Sequence, residues 1–193
     1  MSEYQEIFDE LVELLVGADV SDTTDITYLI KQFFWDRYSQ HYVAGANNKE
    51  FLFDVTVMSC DPLLAYKNEN DEYKIYLAVE SELGGESASS AKYVERNTIE
   101  DFMKLIFSIA DRKVMIAAYS IDSGDNEENA LASRIQKLKS INDKSKNETG
   151  ILVIFIKGDH SIGNSRQVKI VTPMTICGYI LKNNENTSIL NNS

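Results

Sequence analysis

The sequence predicts an α/β protein: a mixed β-sheet flanked by helices, with two helices opening the chain. Three observations carry that prediction. Stripes of apolar residues at helical spacing alternate with strand-length runs of β-branched and aromatic residues. No internal repeat, low-complexity linker or second hydrophobic core divides the chain. The composition, 193 residues with 44% hydrophobic and 25% charged, is that of a globular chain large enough to bury about 70% of its unfolded surface. One domain over residues 1–182 follows, with an acidic helical segment at 1–43, a sheet-containing core at 50–182 and a frayed tail at 183–193.

The elements follow in order. Ile7, Leu11, Leu14 and Leu15 mark a first helix over 4–16, with Gly17 as its stop, and Ile26, Leu29, Ile30, Phe33 and Phe34 mark a second over 25–41. After the loop AGANNKE, the runs FLFDVTVM and YKIYLAVESE read as neighbouring antiparallel strands. LGGESASSAK reads as a small-residue loop. Thr98 and Asp101 have the spacing of a capping box, opening a helix whose stripe is Phe102, Leu105, Ile106 and Ile109. KVMIAAYS is the next strand. A helix with Leu131, Ile135, Leu138 and Ile141 on one face follows, and then ILVIFIK, whose unbroken apolarity suggests a central strand covered on both faces. In QVKIVTPMTICGYILK, Pro173 points to an edge strand or a bulge.

Charge is uneven. The formal net charge is −11, but residues 1–36 hold nine acids against Lys31 alone. The rest of the chain is therefore close to neutral and free to present a local basic face to phosphates, such as Arg134, Lys137, Lys139, Lys144 and Lys146; the plainer reading of those residues is a solvated helix surface. Cys60 and Cys177 have no metal-ligand or disulfide-framework spacing, and His41 and His160 have no partner ligand nearby. The longest apolar run is far too short to span a bilayer, and the acidic start is unlike a signal peptide; the expectation is a cytoplasmic protein with no membrane association. Dinucleotide, P-loop and nucleophile-elbow motifs are absent from the sequence.

What asks for chemistry is a set of carboxylates. Alternation along YKIYLAVESE puts Tyr76, Ala78, Glu80 and Glu82 on one face, the two glutamates about 7 Å apart. In FLFDVTVM, strict alternation groups Phe51, Phe53, Val55 and Val57, leaving Asp54 on the other face of an otherwise apolar strand. An unpaired carboxylate there costs several kcal/mol, so Asp54 needs a base, backbone amides, a proton or a metal ion. If the two polar faces coincide, Asp54, Glu80 and Glu82 converge as hard oxygen donors suited to Mg²⁺ or Mn²⁺. The alternative is local capping of Asp54, with the glutamates emerging into solvent beside Gly84 and Gly85.

The segments FLFDVTV, IYLAVESELG and IEDFMKLIFSIADRKVMIAA, roughly residues 50–120, resemble the PD-(D/E)XK superfamily of restriction-endonuclease-like nucleases. The resemblance implies a restriction-endonuclease-like mixed sheet and metal-dependent hydrolysis of DNA phosphodiester bonds, often by a homodimer. It implies Asp54 as the first metal-binding aspartate and Glu80 as the glutamate of the Glu-x-Lys pair. Glu82 stands where that lysine usually is, and Lys104 is the residue best placed to orient water in its stead. Lys104 could equally form an exposed pair with Glu100. The second functional reading is a catalytically inactive module of the same fold, whose acidic N-terminal helices bind a basic protein partner.

Overall fold

The computed structural model describes residues 2–47, 49–59, 74–84, 91–120, 126–145, 147–159 and 168–191. Among them are four helices and eight strands in one mixed sheet. Helices α1 (Glu3–Gly17) and α2 (Thr23–Arg37) come first. Ser2 and Asp22 cap them, each side chain accepting a first-turn amide. Strands β1 (Tyr42–Ala44), β2 (Val55–Met58) and β3 (Ile75–Glu82) form an antiparallel meander. Helix α3 (Ala91–Phe107) leads to β4 (Arg112–Ser120), and α4 (Glu127–Lys144) to β5 (Ile151–Asp159); β3, β4 and β5 run parallel. Strands β6 (Lys169–Ile170), β7 (Ile176–Leu181) and β8 (Ser188–Leu190) complete the sheet. The order is β1-β2-β3-β4-β5-β7-β8, with β6 pairing the end of β5.

Two apolar layers sandwich the sheet. On one face Ile7, Leu11 and Leu15 of α1 and Ile26, Ile30 and Phe34 of α2 cover Val57, Leu77, Val114 and Ile154. On the other, Phe102, Leu105 and Ile106 of α3 and Leu138 of α4 cover Ala78, Met115, Val153 and Phe155. Central β5 alternates between the layers and is buried throughout its apolar length, as its composition predicts. Phe33 and Trp35 lie partly buried on the first layer beside the fully buried Phe34. Among the described residues no helix is long and apolar enough to cross a membrane.

Several elements depart from the expectation. Helix α3 begins at Ala91, so Thr98 is a mid-helix residue: its hydroxyl donates to the Val94 carbonyl at 2.8 Å, and Val94, Thr98, Phe102 and Leu105 form the buried stripe. Ile109 lies beyond the helix and is 88% exposed. Strand β2 starts only at Val55, because Leu52 has φ 65° and breaks the alternation. Phe53 joins the α3/α4 layer while Val55 and Val57 join the other, so the alternation of β2 does not extend back to Phe53. A register shift at Val57/Met58 likewise accompanies the turn of Tyr76 toward the α1/α2 layer. Helix α2 ends at Arg37, short of the expected 41, leaving room for β1, a strand the sequence does not announce. Pro173 falls between β6 and β7, so β7 pairs fully with β5 and is not an edge. The edge is β8, which residues from the expected frayed tail supply by pairing with β7.

The start of α1 is clamped to the sheet by one carboxylate. Glu3 accepts hydrogen bonds from the hydroxyls of Tyr38 (2.8 Å) and Tyr76 (2.9 Å) and from Nε of Arg112 (3.1 Å). Burial opposes its ionisation, but these donors outweigh it and hold the carboxyl below its ordinary range. His41 stacks on Tyr76 with ring centroids 5.7 Å apart. Glu3→Ala leaves the buried Tyr38 hydroxyl without this acceptor and is expected to cost about 2–4 kcal/mol in denaturant unfolding at pH 7. A loss under about 0.5 kcal/mol would show that the clamp is a dispensable surface pair.

Candidate functional site

Asp54, Glu80 and Lys104 come from three successive elements of the α/β unit. Asp54 immediately precedes β2, where the ladder to β3 has run out, and its Oδ2 takes over that ladder. It accepts from the Ser81 amide and from the Ser81 hydroxyl, both at 2.8 Å. Its Oδ1 lies 4.0 Å from Nζ of Lys31, which α2 brings over from one face and which also pairs with Glu50. The backbone here is closely packed: Gly45 has φ 110°, and a Cβ on it would stand 1.8 Å from the Asp54 carbonyl oxygen.

Glu80 is 3% exposed on the face that α3 covers. Its Oε1 is buried with no hydrogen-bond partner among the described residues, and the Lys104 ammonium stands 3.4 Å away. Lys104 is held instead by Asp101 at 2.6 Å, one turn back on α3. Burial pushes the Glu80 carboxyl up to about 7, the nearby negative charges of Asp54 and Asp101 add to the effect, and Lys104 only partly offsets them. Glu82, also raised chiefly by burial, is folded back: its Oε1 accepts the Gly84 amide at 2.8 Å, and Asn97 of α3 hydrogen-bonds the same carboxylate. Gly84 makes this bond with φ 76°, where a side chain would also strike Val168 and Val94.

Asp54 and Glu80 are neighbours by their electrostatic effect, and Lys104 faces Glu80. The alternative partner for Lys104, Glu100, pairs with Arg96. Asp54, Glu80 and Glu82 all lie in this region, but Asp54 is engaged by Ser81 and Glu82 by Gly84. Among the described residues no three His, Cys, Asp or Glu side chains are grouped to hold a metal ion as they stand. The donor type nevertheless suits a hard divalent cation, since the site offers carboxylate oxygens and one of them, Glu80 Oε1, is buried with no hydrogen bond among the described residues and only the Lys104 ammonium, 3.4 Å away, beside it.

Sequence reasoning missed Ser81, Lys31 and Asp101. Asp101 was read as part of a cap, although its i, i+3 spacing to Lys104 marks a shared helix face. The suggested basic face on α4 is largely neutralised locally, with Lys137 paired to Glu95 and Lys139 to Asp143; Lys146 lies outside the described residues. His160, Cys60 and Gly85 also fall outside them. Part of the N-terminal acidity is engaged internally: Glu6 and Glu10 pair with Arg37, and Asp22 with Lys169. Neither a protein-family model nor a curated protein matches this sequence.

Proposed function

We propose that the chain is a metal-dependent nuclease of restriction-endonuclease-like fold, acting on DNA phosphodiester bonds with Asp54, Glu80 and Glu82 as its acidic patch. The observation that carries this reading is Glu80, a carboxylate buried under α3 whose ionisation Asp54 and Asp101 oppose and whose Oε1, without a hydrogen bond among the described residues, has the Lys104 ammonium 3.4 Å away. The order β2, β3, α3, β4 agrees with the segment order of the PD-(D/E)XK resemblance. A bound Mg²⁺ or Mn²⁺ would supply Lewis-acid activation of a phosphate and a water of lowered pKa. Asp54 and Glu80 would hold the ion, with Glu82 as the third carboxylate. Ser81 orients Asp54 through its amide and hydroxyl. Lys104, kept charged by Asp101, would orient an attacking water and balances negative charge at Glu80.

Because Glu80 is raised to about 7, cation binding competes with its proton. Mn²⁺ titrated calorimetrically into the full chain is expected to bind more tightly as pH rises from 6 to 8, with net proton release near pH 7. Asp54→Ala and Glu80→Ala, each checked for folding, should both abolish binding and any Mn²⁺-dependent cleavage of plasmid DNA. No Mn²⁺ binding by the wild-type chain, or binding that survives both substitutions, overturns the reading.

A further inference from the structure

Between the C-terminal ends of α3 and α4, at the starts of β4 and β5, lies an open cavity of about 940 Å³. None of the carboxylates of the candidate site lines it. Its apolar wall includes Met103, Ile106, Phe107, Ala110 and Ile141. Phe107 (76% exposed) and Ile109 (88%) stand in water beside it. Lys113 also lines it, although only 2% exposed.

Lys113 lies in its sheet row directly between Ala78 and Ile151. A hydrocarbon side chain would fit that row without desolvating a charge. Its ammonium donates to Oδ1 of Asn147 at 2.6 Å and pairs with no carboxylate among the described residues. Asn147 is locked in that orientation, since its Nδ2 donates to Asn142 Oδ1 (3.1 Å) and to the Thr149 carbonyl (2.7 Å). Of the acids lining the cavity, Asp111 is engaged by Lys74 at 2.6 Å and Glu148 is exposed. One amide dipole thus receives the ammonium while a full counter-charge is missing among the described residues, and burial lowers the lysine to about 8.

We infer that this cavity binds an amphipathic monocarboxylate, its carboxylate paired with Lys113 and its hydrocarbon chain laid along the apolar wall. One buried cation matches one negative charge, the apolar wall matches a hydrocarbon body, and the volume is within the range of small-molecule sites. A multiply charged phosphate compound would meet Asp111 and Glu148 with only Lys144 as a further cation in the lining.

The test is calorimetric titration of the full chain with octanoate, 1-octanol and acetate, using wild type, Lys113→Met and Ile141→Trp. Octanoate should bind wild type, and acetate should bind at least about tenfold more weakly. Lys113→Met should weaken octanoate about tenfold while leaving octanol unchanged. Ile141→Trp, whose larger ring intrudes on the apolar wall while the ammonium is kept, should weaken binding of octanoate and octanol alike by about tenfold. The inference is overturned if wild type does not bind octanoate, or if Lys113→Met binds it as tightly. Should Lys113→Met fail to fold, a folded Ile141→Trp decides: weakened binding of octanoate supports the site and unchanged binding overturns it.

Discussion

Replacing Glu80 by glutamine is expected to stabilise the fold at pH 8 by about 3 kcal/mol and to leave it nearly unchanged at pH 4. The Glu80 carboxyl is raised to about 7 in the folded chain, chiefly by burial and then by Asp54 and Asp101, from an ordinary value of 4.5. The folded state therefore holds the proton more tightly than the unfolded chain does. Below about pH 4.5 the carboxyl is protonated in both states and costs nothing extra. As pH rises through 4.5 toward 7 the unfolded chain ionises first, stability falls, and above 7 the full penalty is present. Glutamine does not titrate, and its amide can donate toward the neighbouring carboxylates. Denaturant unfolding of both proteins across pH 4 to 8 measures the difference directly, because every other group is common to the pair. Parallel profiles would mean that Glu80 ionises without penalty and that its burial is compensated. A stabilising substitution that also abolishes Mn²⁺ binding would identify Glu80 as a residue kept for function at a cost in stability.

Gly45→Ala is expected to destabilise the protein by about 2–5 kcal/mol and to weaken Mn²⁺ binding. Both follow from the same contact. A φ of 110° is outside the regions open to alanine, and the new methyl would overlap the Asp54 carbonyl oxygen at 1.8 Å. Backbone cannot yield as a flexible side chain can, so either β1 separates from the start of β2 or Asp54 moves off Ser81. Gly17→Ala is the matched control: it ends α1 with nothing within 4 Å of the added carbon. It is expected to be neutral or to stabilise by up to about 1 kcal/mol. Equal effects at the two glycines would show that the Gly45 contact relaxes freely.

The strongest periodic signals in the chain are read correctly because burial on both faces leaves little freedom. ILVIFIK can only be a covered strand in a chain this size, and the antiparallel pairing of β2 with β3 follows from two adjacent runs of matching character. Asp54 and Glu80 stand out by the same logic, as carboxylates in runs whose neighbours require burial. The misreadings occur where local pattern and long-range packing compete. Thr98 has the chemistry of a cap but lies on the buried stripe of a longer helix, satisfied by its own Val94 carbonyl. The face of Phe53 cannot be obtained by counting alternate residues back from Val55, because the regular strand begins only at Val55. The pairing of Ser188–Leu190 depends on an open edge of β7, which no local feature of a polar tail announces.

The sequence by itself determined the α/β class, the two opening helices, the covered central strand and the identity of the anomalous carboxylates, since each is a matter of periodicity or of a charge among apolar neighbours. Only the tertiary structure decided which groups meet those carboxylates. Ser81 orients Asp54, Asp101 holds Lys104 beside Glu80, and Asn147 receives the ammonium of Lys113. These partners are set by register, by the faces that α2 and α3 present, and by loops crossing strand ends, so they are fixed by distances in space that spacing along the chain does not encode.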